Sequence, residues 1–402
     1  MRLLRDGYFL AVGLNHMAVD VLSSQMTILL VFLAPSLGLT NADIGLVALI
    51  YTGFGSLTQP LFGWLADRFQ AMWLIGASLL WLAAWYSLVL ILPGRWAIVG
   101  MLMGALGSAA FHSAGTERAT SRGETLMVGR AATAASLFFL FGLAGHSFGP
   151  ALGGALLEQA GKRSLLVMAA LAIPIAVNSL YRLHWLKISS VPETATLSNR
   201  MTQIESGFRK GKWVLVAFAA LVFLRSAPQM TSMTFLPKLF QDRGYTPGSY
   251  GLITSIFMAG AALGGFAGGF LADRWGRRKT ILWTLLASAV PMYYYPVMLG
   301  QGLDAMVFLA GALNGASFSV IVVLAQALLP RMRALASGLT LGFMFTSGAI
   351  GSYLFGLAAS VYPLPSVMQI NGVLCALGAL LTLTLRRDSP SATAVSGVKT
   401  VS

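Results

Sequence analysis

Gly63-Trp64-Leu65-Ala66-Asp67-Arg68 recurs as Gly269-Phe270-Leu271-Ala272-Asp273-Arg274, and each copy follows an apolar run of helix length. The copies lie 206 residues apart, about half the chain. Gly45-Leu46 answers Gly251-Leu252 at the same offset, so each copy carries a whole helix and not only a loop. A charged turn repeated behind matching hydrophobic segments means two duplicated membrane halves.

Working outward, composition sets the class. Of the 402 residues 56% are hydrophobic and only 10% charged, with a mean hydropathy of +0.75. A soluble globular chain could not carry that composition on its surface. Spanning about 30 Å of hydrocarbon takes roughly 20 apolar residues as a helix. Twelve such runs are legible, at 7–34, 41–67, 72–92, 96–117, 126–157, 163–187, 213–238, 247–272, 280–300, 304–328, 334–361 and 365–385. The only long polar interval falls between the sixth and seventh. The expected architecture is all-α, with twelve transmembrane helices in two pseudo-symmetric six-helix bundles. The first bundle covers 1–187 and the second 213–387, with a cytoplasmic linker at 188–212 and a disordered cytoplasmic tail at 388–402. Gly149, Gly153 and Gly154, and again Gly264, Gly265, Gly268 and Gly269, would let helix backbones approach closely.

The formal charge of +14 would point to nucleic acid in a soluble protein. Here its placement explains it, and no nucleic-acid partner is expected. With the N-terminus inside, the 27 Lys and Arg all fall at the cytoplasmic face except Arg95, Lys162, Arg163, Lys238 and Arg243 outside and Arg225 within a helix. That asymmetry predicts both termini in the cytoplasm of a bacterial-type inner membrane. The first apolar run is interrupted by Asn15, His16 and Asp20 and ends in no small-residue cleavage site, so it reads as a retained helix. The lone cysteine, Cys375, permits no internal disulfide.

His16 and Asp20 stand four residues apart on one face of the first helix, about 6 Å apart along its axis. With hydrocarbon beginning near Tyr8, Asp20 sits about 18 Å deep, close to the midplane. An ionisable side chain there costs several kcal/mol unless it meets a cavity, a partner or a proton. The bland alternative is polar glue between helices. Intramembrane charge favours function, so Asp20 and His16 are expected to take part in proton coupling. His112 in the fourth helix lies at similar depth and joins them, with packing as its alternative. Glu117, Arg118 and Arg122, one turn on, read as a solvated cytoplasmic cluster.

Arg225 is about 18 Å along the seventh helix from Trp213. Arginine keeps its proton, so it must face a carboxylate, an anionic ligand or water. Pro228 and Gln229 follow within a turn, where a proline frees carbonyls that a cavity can use. In the tenth helix Gly311-Ala312-Leu313 answers Gly104-Ala105-Leu106, which makes Ser319 the counterpart of His112. Asn314, a buried amide, is either interhelical glue or a ligand contact. Arg225, Gln229, Asn314 and Ser319 are the expected substrate-binding set. His146, inside a glycine-rich stretch, reads as packing, and His184 beside Trp185 and Lys187 as an interfacial anchor. Tyr293, Tyr294 and Tyr295 read as part of an outer aromatic belt. The four histidines lack the spacing of a metal site, and no nucleotide-binding loop of the GxxxxGK type occurs, so neither metal nor cofactor nor enzyme is expected.

With these residues on the page, a resemblance is clear. GxLADR after the second helix and again after the eighth, with Gly145-x-x-x-Gly149-Pro150-x-x-Gly153-Gly154 in the fifth, resembles the major facilitator superfamily over the whole chain. That resemblance implies a central cavity lined by helices one, four, seven and ten, between bundles that rock about it. The fifth-helix motif resembles that of antiporters. Gly63, Asp67, Arg68, Gly269, Asp273, Arg274, Arg277 and Arg278 would then form a conformational gate. In the first copy Gln70-Ala71 stands where the family turn ends in two basic residues.

More narrowly, His16-x-x-x-Asp20, Gln59-Pro60-Leu61-x-Gly63, Asp67-Arg68-Phe69 with Trp73, and Phe111-His112 resemble the fosmidomycin-resistance branch, with Ser113 where that branch has proline. This implies proton-driven export of a small molecule by a protein in the lipid bilayer, expected to act as a monomer. In the expected cycle Asp20 is balanced by Arg225 across the cavity or by a protonated His16, and a proton and an anionic substrate weaken each other's hold. An uptake symporter for an organic anion, a uniporter or lipid flippase, and a membrane sensor or scaffold are the rivals.

Overall fold

The computed structural model describes residues 3–69, 72–126, 131–185, 212–318, 320–322, 324 and 333–384. Ser319, the tail and all of the expected linker except Lys212 lie outside them. Among the described residues there is no strand. The six spans of the first half are Gly7–Leu37, Asn41–Leu57 continued by Gln59–Phe69, Trp73–Ile91, Trp96–Leu126, Ala131–Ala160 and Leu166–Trp185. Those of the second half are Lys212–Asp242, Pro247–Trp275, Arg277–Tyr294, Leu303–Gly315, Arg333–Ala358 and Leu364–Leu381. Ten of the twelve are long and apolar enough to cross a bilayer on length and hydropathy. The other two carry charge: the seventh holds Arg225, and the ninth begins Arg277-Arg278-Lys279.

Local chemistry sets the ends. Asp6 caps the first span by accepting a hydrogen bond from the Phe9 amide at 2.9 Å. Gly38, at φ +61°, takes the left-handed turn that ends it and returns its N–H to Ala34 and Pro35. Thr40 and Asp43 form a reciprocal capping box on the second span.

Five expectations change. The repeated GxLADR residues are not a turn after a helix; both copies stay helical, and the chain turns only beyond Phe69 and Trp275. The second span is broken at Thr58, and the tenth is interrupted by a turn at Ala316-Ser317. The fourth runs on to Leu126. Tyr295 is fully buried, its hydroxyl 2.8 Å from that of Ser232, so only Tyr293 and Tyr294 face outward.

Within the first half, the first span packs on the fifth, fourth and sixth, and the third on the fourth and sixth. In the second half, the seventh packs on the eleventh and twelfth, and the eighth on the tenth. The halves meet mainly through two pairs, the fifth with the eighth and the second with the eleventh, and the first span also touches the seventh. The glycines make these approaches possible. A Cβ on Gly154 would lie 2.2 Å from the Pro247 carbonyl oxygen of the eighth span, and one on Gly45 3.1 Å from the Tyr353 backbone of the eleventh. Gly264 and Gly268 press on Ala312 and Ala316 of the tenth.

The hydrogen bonds identified between the halves lie at the end remote from the N-terminus. Asn41 donates to the Ala359 carbonyl at 3.1 Å, Gln241 to that of Val31 at 2.8 Å, and the Ala151 amide to the Ser255 hydroxyl at 2.8 Å. The Glu158 carboxylate of the fifth span accepts from Thr246 and from the Gly248 amide, so it caps the eighth span from across the interface. The hydrogen bonds identified between the halves among the described residues thus gather at one end.

Candidate functional site

The first and fifth spans run parallel and in register. Gly142, Gly145, Gly149 and Gly153, spaced three or four residues apart, present one small-residue face to the first span. A Cβ would lie 2.4 Å from His16 Nε2 at Gly142, 2.4 Å from the Met17 carbonyl oxygen at Gly145, 1.9 Å from the Ser24 hydroxyl at Gly149, and 2.9 Å from Gln25 Cγ at Gly153. The fifth-helix motif thus has two faces. Most of its glycines seat the first span, while Pro150 and Gly154 meet the eighth.

Into that seat the first span projects Asp20, which is 3% exposed. Three imidazoles surround its carboxylate. His16 Nε2 lies 3.3 Å from Oδ2, His112 Nε2 3.4 Å from Oδ1, and His146 Nε2 3.6 Å from Oδ2. His16 is as buried as Asp20, whereas the side chains of His112 and His146 are 26% and 30% exposed. The cluster therefore opens on the His112 and His146 side. His16 is stacked on Phe138 with ring centroids 4.0 Å apart and meets His112 edge-on at 5.0 Å.

The tautomers follow from the backbone. His16 Nδ1 is 2.8 Å from the Phe138 carbonyl oxygen, and His112 Nδ1 is 2.8 Å from that of Ser108. A carbonyl only accepts, so both Nδ1 atoms carry hydrogen. Neutral rings would then aim Nε2 lone pairs at the one carboxylate. Only a positive charge shared between nitrogen and oxygen relieves that repulsion.

One sequence reading is corrected here. His146 is not packing; it is the fourth member of the cluster. Its signal was its position four residues after Gly142, on the face that seats the first span. Folding also brings together side chains that are far apart in the sequence. The ligand atoms of His16, Asp20 and His112 all lie within 4.8 Å of one another.

The second site is in the other half. Arg225, 2% exposed, donates through Nε to the Ser317 hydroxyl at 3.2 Å and through NH2 to the Gln229 side-chain oxygen and the Asn314 carbonyl. Its guanidinium carbon stands 5.0 Å over the Phe318 ring. Ser317 lies at the interruption of the tenth span, where the turn exposes acceptors that a continuous helix would use itself. The partners identified for Arg225 are neutral and those of Asp20 are the three histidines, so of the two balances expected for Asp20 the structure places His16 beside it and not Arg225. The side chain of Asn314 is fully buried and donates to the Arg225 carbonyl at 3.3 Å and to Cys375 Sγ at 3.7 Å. Through its side-chain nitrogen it braces the seventh span. Ser317 and Phe318 were missed because no spacing reveals a helix break.

Ser113 of the Phe-His-Ser stretch donates to the Gln59 carbonyl at 2.8 Å, so it ties the fourth span to the restart of the broken second. The expected gate is described in part, since the side chains of Asp67 and Asp273 lie outside the described residues. Gly63 faces the Ser113 side chain, Arg68 rests over Trp64, and Arg278 donates to the Thr382 and Leu383 carbonyls at the end of the twelfth span. Arg274 is exposed and Arg277 half-buried. Arg122 does not belong to a solvated cluster. Its guanidinium grips Asp6 through Nε at 3.0 Å and NH2 at 2.6 Å, and Arg118 is buried. Burial alone would raise the Asp6 carboxyl, but hydrogen bonds from Arg122 and Phe9 and the charge of Arg122 hold it below its ordinary value.

Comparison with known proteins agrees with the fold. The family model of the Major Facilitator Superfamily matches residues 8–232 and 218–400. The fosmidomycin resistance protein of Escherichia coli K12 is 26% identical over 383 residues, 92% of this chain and 90% of its own. An uncharacterised MFS-type transporter of Bacillus subtilis 168 is 27% identical over 394 residues, 92% of this chain and 91% of its own. Among solved structures, a bacterial homologue of the human lysosomal transporter Spinster, inward-facing and occupied, superposes with a TM-score of 0.78 at 14% identity. That superposition covers 93% of this chain and 95% of the other, and it speaks for the fold.

Proposed function

Because this chain belongs to the Major Facilitator Superfamily, whose members are secondary transporters of the membrane and not enzymes, we propose that it is a proton-coupled antiporter exporting a small amphiphilic or anionic compound by alternating access. The observation that carries this reading is the Asp20 cluster. Two imidazoles with backbone-held Nδ1 hydrogens face one buried carboxylate, an arrangement at rest only with protons shared among them. His112 and His146 are its accessible members and pass protons in and out; His16 and Asp20 store them.

Arg225 is the anion site of this reading. A buried guanidinium held by neutral acceptors keeps its full charge for an incoming carboxylate or phosphonate. At 2% exposure it becomes available when Phe318 and Gln229, both half-buried, swing aside. With both termini cytoplasmic in a bacterial-type inner membrane, the hydrogen-bonded end is the outer one, which fits an inward-facing state of the cycle. The two GxLADR copies then gate the cytoplasmic end, with Glu158 and Asn41 holding the outer end. The name of the Escherichia coli relative supports efflux, as does the resemblance of the fifth-span motif to antiporters. The energy source is the proton gradient, and no cofactor enters the cycle.

Proton release from energised inside-out vesicles tests the proposal, read with a pH-sensitive dye as phosphonates, organic anions and lipophilic cations are added in turn. Release on one class, lost in Asp20→Asn while that variant still binds the compound, is the expected result. Undiminished release by Asp20→Asn would remove Asp20 from coupling. Silence of the folded wild-type protein across the panel would shift the reading to uptake symport.

A further inference from the structure

We infer that His16, Asp20, His112 and His146 form a binding site for one first-row divalent transition-metal ion, of the kind Zn²⁺ and Co²⁺ represent. Such a site goes beyond the transport reading and is independent of whether the cluster carries protons. A tetrahedral ion with bonds of about 2.0–2.1 Å sets its ligand atoms about 3.3–3.4 Å apart. The Nε2 atoms of His16, His112 and His146 stand 3.3, 3.4 and 3.6 Å from the oxygens of the Asp20 carboxylate, and the ligand atoms of His16, Asp20 and His112 lie within 4.8 Å of one another, so three donors are gathered and His146 needs only to swing in to complete the shell.

Three further features point the same way. The donor set is three imidazole nitrogens and one carboxylate oxygen, which favours zinc, cobalt, nickel or copper over magnesium or calcium. Next, the Phe138 and Ser108 carbonyls hold the Nδ1 hydrogens of His16 and His112, the arrangement that leaves Nε2 free to ligate and fixes each ring. Finally, the site has a path in: His112 and His146 are partly exposed, while His16 and Asp20 form the floor.

Gly142 makes the space. A Cβ there would stand 2.4 Å from His16 Nε2 and 2.6 Å from Asp20 Oδ2, where the ion must sit. All four ligands come from the first, fourth and fifth spans, within one half. An ion would therefore leave the two halves free to move and would act on the charge of the cluster instead, fixing a positive centre where a mobile proton otherwise sits.

The test uses the full-length protein, purified without a histidine tag, in detergent or nanodiscs. Titration with Co²⁺ is expected to give the visible absorption of a tetrahedral nitrogen–oxygen site that saturates at one ion per chain and is displaced by Zn²⁺. His146→Ala, which removes the most exposed ligand, should weaken Zn²⁺ measured by calorimetry by at least about tenfold. His112→Ala and Asp20→Asn should each do the same, while Asp304→Asn, on an exposed carboxylate elsewhere, should not. Absence of saturable one-to-one Co²⁺ binding by the wild-type protein would overturn the inference, and so would unchanged Zn²⁺ affinity in His146→Ala and His112→Ala together. Because the readout is binding, a silent transport assay leaves it standing, and a failed titration leaves the transport reading standing.

Discussion

The two halves share a scaffold and differ in chemistry. In the first half Gly142 and Gly145 of the fifth span press on His16, Met17 and Asp20; their counterparts at the repeat offset, Gly348 and Gly351 of the eleventh, press on Ser226, Ala227 and Met230 of the seventh. Both pairs let a helix of each bundle seat closely on its neighbour. What they seat diverges. The first half gathers a carboxylate and three imidazoles that can exchange charge, and the second holds a guanidinium that cannot. Duplication thus supplied the frame twice, and the division of labour arose from a few side chains placed on it.

Removing the permanent charge should break that contrast most sharply. Arg225→Ala is expected to weaken an anionic substrate by about 2–5 kcal/mol, the cost of truncating one partner of a buried charged contact, while a neutral analogue changes little. Equilibrium binding of such a matched pair checks it, and equal losses would make Arg225 a structural residue. Next comes Gly142→Ala, where the added methyl collides with His16 and Asp20. Overpacking of this kind costs about 1–3 kcal/mol, whereas Gly269→Ala, with nothing within 4 Å, should be neutral or stabilise slightly through helix propensity. Thermal unfolding in detergent separates the two.

The smallest effect concerns the Asp6–Arg122 link. A carboxyl held below its ordinary value contributes stability that is present above its unfolded pKa and lost as pH falls through its folded one. Asp6→Asn should therefore lower the melting temperature at neutral pH by an amount worth about 1 kcal/mol or less, and the gap to wild type should close under acid. Because asparagine caps a helix as well as aspartate does, a gap that persists at low pH would remove the ion pair as its cause.

Much of the fold was legible because membrane insertion leaves a coarse and faithful record. Apolar runs must be about 20 residues long, and a repeated GxLADR at half-chain spacing announces a duplication. Asp20, His16 and Arg225 stood out for the same reason, since charge in hydrocarbon is conspicuous. His146 did not, because a histidine amid glycines reads as packing until one knows which face the glycines turn to the first span. Arg122 was placed in solvent because its partner Asp6 is 116 residues away in sequence.

The sequence by itself determined the class, the span positions and the residues that cannot sit idle in a bilayer. Each of those follows from local composition and from the cost of burying charge. Only the tertiary structure decided partnership. Asp20 met three histidines instead of Arg225, the side-chain nitrogen of Asn314 braced the Arg225 backbone, and the tenth span broke where Arg225 needed an acceptor. The physical reason is that helical spacing fixes what shares a face within one span. Which faces meet is set by packing between spans, and no single run of residues contains it.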